Sequence, residues 1–280
     1  MQAPPLRPFD AFVAPAFRAL SALSALSALA TGCAMQSEQT ADAEEDATVR
    51  PQVSICWSGR SLGDNPYDSG GNSQLGTLCK AMPGLVHDAG GRDGAYPFFR
   101  WDSKVDHALD VLVATLDTNH DGVVTNMDTA IDLNVVGYSW GGFNARELVA
   151  KIATDHRFSP SRHGVARFFA LDPYRTDDLG IGRTELEVPA NVGTFYEFRH
   201  TAAPADDCSF IAWGLIGPFT GRDPECTGAT VCHDYDYSLV PSTAGVDHCG
   251  IPSHATRPVL QVVRHLAVTN LPPERRVARY

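Results

Sequence analysis

Lysine is nearly missing from this chain. Lys80, Lys104 and Lys151 are the only three, so most of the 22 basic residues are arginine. We read that bias as genomic base composition. Acidic residues number 33, which leaves a formal charge of −11 at pH 7. That balance argues against a face basic enough to displace counterions from a polyphosphate, and so against nucleic acid as the partner. The early apolar run Ala19–Ala30 (ALSALSALSALA) is too short to span a bilayer as a helix. There is no internal repeat, no CxxC pair and no His-rich spacing, so nothing supports a zinc site. What is present is a 44% hydrophobic content over 280 residues, enough for the core of one large α/β domain or two small ones.

The first residues read as an address. Arg7 and Arg18 precede the apolar run, and Thr31-Gly32-Cys33 follows it. A basic start, a short apolar stretch and small residues before a cut site describe a secretory signal over 1–32. Gly32-Cys33 resembles a bacterial lipobox, with Leu29 one place further out than usual. That resemblance implies a lipid anchor on Cys33 that ties the protein to a membrane of the cell envelope. Residues 33–50 are polar and acidic and read as a flexible tether. The globular part is expected over 51–280. Besides Cys33 it carries Cys56, Cys79, Cys208, Cys226, Cys232 and Cys249. An even number in an exported chain points to disulfides. Proximity favours Cys56 with Cys79 and leaves the last four to staple residues 208–249.

The body alternates strands with helices. VSICW (Val53–Trp57), Leu133–Gly137, Ala166–Leu171 and Val192–Phe198 are short apolar runs suited to buried strands. Ser103 to Asp106 has the form of a capping box that opens a helix through Leu116, with Val105, Leu109, Leu112 and Leu116 on one face. Further helices are expected over Asn144–Thr154 and Val259–Ala267, the latter with Pro258 near its first turn. This alternation predicts a mostly parallel sheet covered on both faces.

Residues 137–142 read Gly-Tyr-Ser-Trp-Gly-Gly between a predicted strand and a predicted helix. In G-x-S-x-G the sharp turn forces the serine into a strained conformation and lifts its hydroxyl above the sheet. The Trp140 amide then points to where an oxyanion would form. A serine hydroxyl needs a base within reach, and the base needs an orienting carboxylate. Asp172 follows the strand ARFFAL directly. His248 precedes the closing helix. The order Ser139, Asp172, His248 is the one this kind of sheet uses. Asp206 and Asp207 are the alternative acids, after VGTFYEF. His254 is the alternative base, with His200 and His233 behind it.

On GYSWGG, ALDPY and VDHCGIP, the chain resembles the α/β-hydrolase superfamily, lipase and esterase-like, over roughly residues 51–270. The resemblance implies a three-layer α/β fold with a mostly parallel sheet, trimmed here to about six strands because the domain starts close to an early strand. It also implies a second oxyanion donor in the loop after that strand. No HGGG run is present, and the amides of Trp57 and Ser58 are the candidates. An aspartate followed by proline after the strand that succeeds the elbow strand is similar to the pancreatic-lipase-like arrangement.

Residues 117–128 (DTNHDGVVTNMD) place oxygen side chains at Asp117, Asn119, Asp121, Thr125 and Asp128, with Gly122 at the sixth position and the Val123 carbonyl at the seventh. That is the EF-hand spacing, with aspartate in place of the final glutamate. It resembles the calcium loops of dockerin repeats and implies a structural Ca²⁺ that braces the segment leading into Ser139. Residues 208–247 contain SFIAWGLIGPF and read as a disulfide-stapled loop or lid. The expectation is an exported serine hydrolase acting on carboxylic esters, lipid esters foremost, without an organic cofactor. The rival readings are a peptidase or thioesterase on the same triad, and a calcium-stabilised, non-catalytic surface binding protein.

Overall fold

The computed structural model describes residues 50–61, 65, 67, 70–86, 96–162, 164–176, 182–183, 186–201, 224–239, 246–268, 271–272 and 274–275. The expected signal, the Cys33 anchor, nearly all of the tether, Asp206, Asp207, Cys208 and SFIAWGLIGPF lie outside the described residues. In chain order the elements are β1 (Gln52–Trp57), α1 (Gly70–Ala81), α2 (Val105–Leu116), β2 (Asp132–Tyr138), α3 (Trp140–Thr154), β3 (Val165–Leu171), β4 (Arg175–Thr176), β5 (Gly182–Arg183), β6 (Glu187–Val188), β7 (Val192–Arg199), β8 (Glu225–Cys226), β9 (Val231–Asp236), α4 (Ile251–Val263) and β10 (Glu274–Arg275).

Six of the strands form one sheet in the order β1-β2-β3-β7-β9-β10. The first five run parallel, and β10 is antiparallel to β9. The register follows from the alternation of side chains along each strand. Ile55, Trp57, Val135, Phe168, Ala170 and Phe195 point to one face, where they pack in one core with residues of α2 and α3. Cys56, Val136, Tyr138, Phe169, Leu171 and Phe198 point to the other, where α1 and α4 close a second core. The expected α/β layering with a mostly parallel sheet is what this chain forms.

Two disulfides staple this frame. Cys56–Cys79 joins β1 to α1, and Cys226–Cys232 joins β8 to the start of β9. The first closes a separation of 23 residues. The chain-entropy model gives such a loop about 3 kcal/mol. Cys249 is also disulfide-bonded.

Several boundaries differ from expectation. The residue capping α2 is Lys104, with no side-chain cap. Ser103 instead accepts the Arg100 amide at 3.1 Å, and Asp106 pairs with Lys151 at 2.6 Å. The closing helix spans Ile251–Val263 rather than Val259–Ala267 and holds Pro258 in its interior. Proline there forgoes one helical hydrogen bond, and Pro258 is buried. The stretch 208–247 is not one loop, because it contains β8 and the core strand β9. In β9 the buried positions include Asp234 and Asp236, acids that hide a strand from a search for apolar runs.

Candidate active site

Ser139 sits between β2 and α3, at the carboxyl end of the sheet. Its backbone takes φ 53° and ψ −125°, a region that residues with a Cβ rarely enter. Neighbouring glycines make the bend possible. A methyl at Gly137 would lie 2.5 Å from the Gly141 carbonyl oxygen, and one at Gly141 would lie 2.5 Å from that of Ser58. The glycine at each position is therefore required by close backbone approach. The helix α3 begins at Trp140, four residues before the expected start at Asn144. The Ser139 amide donates to the Leu171 carbonyl at 3.0 Å, which pins the bend to the end of β3.

Asp172 follows β3 and has φ 45°. Its amide donates to the Phe198 carbonyl at 2.7 Å, which aligns it with the end of β7. His248 lies just before α4. Its Nδ1 is 2.6 Å from Asp172 Oδ2, and both side chains are buried. Tyr138, the residue before the serine, stacks on the His248 ring with centroids 5.0 Å apart. Its hydroxyl donates to the His248 carbonyl at 3.3 Å. The imidazole therefore lies against the elbow, and Ser139, Asp172 and His248 all gather at one end of the sheet.

His200, at the end of β7, brings a second imidazole to the same carboxylate. Its Nδ1 lies 2.8 Å from Asp172 Oδ2, and its amide donates to Oδ1 at 3.4 Å. Below it, Arg199 and Asp234 form a buried two-pronged ion pair at 2.7 and 2.6 Å that locks β7 to β9. Burial would raise the Asp172 carboxyl, but His200 and His248 outweigh it and hold it below the usual aspartate value. His200 was expected at most as a rival base. Its place at a strand end was the available signal for a role at the site. His254 is exposed on α4 against Tyr237, and His233 pairs with Glu274 at 2.8 Å. Neither is in this cluster.

Trp140 heads α3, the end at which helix amides point outward and the dipole favours negative charge. The second expected donor is corrected. The Ser58 amide donates to the Phe99 carbonyl at 2.8 Å. The Ser54 and Ser58 amides donate at the outer edge of β1, and alternation along the parallel ladder turns the Trp57 amide toward β2. Neither amide is turned toward the serine.

The loop 117–128 leads from α2 toward β2. The Asp117 carboxylate accepts the amides of Asp121 and Gly122 at 3.2 and 2.8 Å. Asp128 accepts those of Thr118, Asn119 and Thr125. Burial would raise Asp128, but these bonds and the Thr118 hydroxyl hold it below its ordinary value. Gly122 has φ 89°, and Val124 is buried in the core. Among the described residues no three His, Cys, Asp or Glu side chains converge as a metal site. The oxygen donors and the turn nevertheless fit a hard cation in kind. No protein-family model matches this chain, and neither does any curated protein.

Proposed function

We propose that the chain is an exported serine hydrolase of the α/β-hydrolase superfamily that cleaves carboxylic esters, with lipid esters the first class to test. The observation that carries this reading is the 2.6 Å His248–Asp172 pair beside a serine held at φ 53°. In the reaction, Ser139 attacks the ester carbonyl while His248 takes its proton. Asp172 holds the imidazole in one tautomer and stabilises its cation. The Trp140 amide donates to the oxyanion. The alcohol leaves with the proton from His248, and water then repeats the cycle on the acyl-enzyme.

The site in the loop 117–128 is proposed to take Ca²⁺ on Asp117, Asn119, Asp121, Thr125, Asp128 and the Val123 carbonyl. The ion would supply positive charge that braces the loop, with no part in bond cleavage. Two disulfide pairs are compatible with an extracytoplasmic location. Among the described residues no helix is long and apolar enough to cross a membrane. Attachment is proposed to come from lipid on Cys33.

A fluorophosphonate probe tests the reaction class. The oxidised protein should be labelled, and Ser139→Ala should abolish the label. Failure of the oxidised, calcium-supplied protein to react would refute catalysis and favour a binding role. Esters of rising chain length, set against peptides and thioesters, then sort the substrates.

A further inference from the structure

Arg60 is an exposed cation at the edge of the proposed site. Gly59 before it is packed against the nucleophile, since a methyl there would lie 2.9 Å from Ser139 Cβ. The guanidinium carbon lies 5.3 Å from the Trp101 ring and 5.7 Å from the Trp140 ring. The two indoles meet edge to face at 5.7 Å, and Trp140 is the residue after the serine. Arginine, nucleophile and indoles therefore share one rim.

The mounting is rigid. Asn72 brackets Gly59, accepting its amide at 2.8 Å and donating to its carbonyl at 2.9 Å. The Trp101 amide donates to Ser58 Oγ at 3.2 Å, and the Trp101 carbonyl accepts Asn144 Nδ2 at 2.7 Å. A cation whose backbone and stacking partners are held in place loses less freedom when it binds a ligand.

No carboxylate among the described residues neutralises it. Among the described residues, Arg100, Arg146, Arg157, Arg167 and Arg199 each meet an acid, while Arg162 and Arg264 donate to backbone carbonyls. Arg60 meets the two indoles and, among the described residues, no acid, although the chain has a net charge of −11. A cation–π contact uses the charge and face of the guanidinium and leaves its in-plane N–H fork for a planar anion. Carboxylate and phosphate oxygens are the groups that fork matches.

We propose that Arg60 determines specificity, and that the preferred ester carries a carboxylate or phosphate a few bonds from the scissile carbonyl. This deepens, and rests on, the reading of Ser139 as nucleophile. Two matched pairs separate the sources of charge. p-Nitrophenyl hemiglutarate against p-nitrophenyl butyrate tests an anion on the acyl side. Lysophosphatidate against monoacylglycerol tests a phosphate on the alcohol side. In at least one pair the anionic ester should be preferred at least tenfold in kcat/KM. Arg60→Gln should lower that preference at least tenfold, and Arg60→Lys should fall between, keeping charge but losing the fork. Fluorophosphonate labelling is run alongside on all three proteins. An unlabelled wild type overturns the hydrolase reading and this assignment together. A labelled wild type that favours neither anion, or whose preference survives Arg60→Gln, overturns the role of Arg60 alone. If Arg60→Gln fails to fold, Arg60→Lys decides: an unchanged preference overturns the role, and a weakened one supports it.

Discussion

Asp172→Asn is the sharpest perturbation of the proposed triad. The substitution keeps size and shape but removes the charge that faces His248 across 2.6 Å. With the charge centres roughly 4 Å apart, an effective dielectric constant of about 20 gives their attraction about 4 kcal/mol. That attraction develops only when His248 becomes an imidazolium, so its loss falls on the transition state. It corresponds to about a thousandfold in rate. An asparagine that presents its NH₂ to Nδ1 also selects the wrong tautomer, which brings the expected loss to roughly 10³–10⁴ in kcat/KM. The assay is steady-state hydrolysis of a p-nitrophenyl ester, with the rate of fluorophosphonate labelling as a second readout. Both should fall together, with a circular dichroism spectrum unchanged from wild type. A folded Asp172→Asn protein that keeps more than a tenth of its activity would refute the assignment and return the acid to Asp206 or Asp207.

Three further outcomes are expected. His200→Gln should lower kcat by about tenfold, or about 1.4 kcal/mol, and should also weaken the protein toward acid. Asp172 is held below its ordinary pKa, so its stabilising effect is complete above that ordinary value and is lost as pH falls through the lowered folded one. Without His200 the folded value rises, and the acid-unfolding midpoint should move to higher pH. Gly141→Ala puts a methyl 2.5 Å from the Ser58 carbonyl oxygen and 2.7 Å from that of Trp57. Overpacking of this kind costs about 1–3 kcal/mol, so differential scanning calorimetry should show a melting point lower by about 2–12 °C. Ca²⁺ added to chelator-stripped protein should raise the melting point, and the rise should disappear in Asp117→Ala. No heat in a calorimetric titration would remove the ion.

The layered fold and the proposed triad were legible for separate reasons. Strands β1, β2, β3 and β7 are largely buried, so they read as short, mostly apolar runs. Ser139 was marked by glycines that close backbone contacts demand, and Asp172 by the strand ending beside it. The rest was masked by polar residues whose partners lie far along the chain. Asp234 in β9 is buried only because Arg199 reaches it from β7. His200 touches Asp172 across 28 positions. Ser103 looked like a helix cap because its competing partner, the amide of Arg100, carries no sequence mark. Trp57 and Ser58 were expected as oxyanion donors, but the direction in which a strand's amides point is set by its neighbours. Arg60 was invisible for the same reason, since its two indoles come from separate segments.

If the proposed reaction holds, the crosslink at Cys249 would make oxidation part of its timing. It fastens the chain one residue from the imidazole, so a reducing milieu would release the segment that presents His248. A nascent chain still inside the cell would hold its serine without a firmly seated base. With the proposed export, hydrolytic competence would arrive only outside the cytoplasm, and the producing cell's own esters would be spared until then.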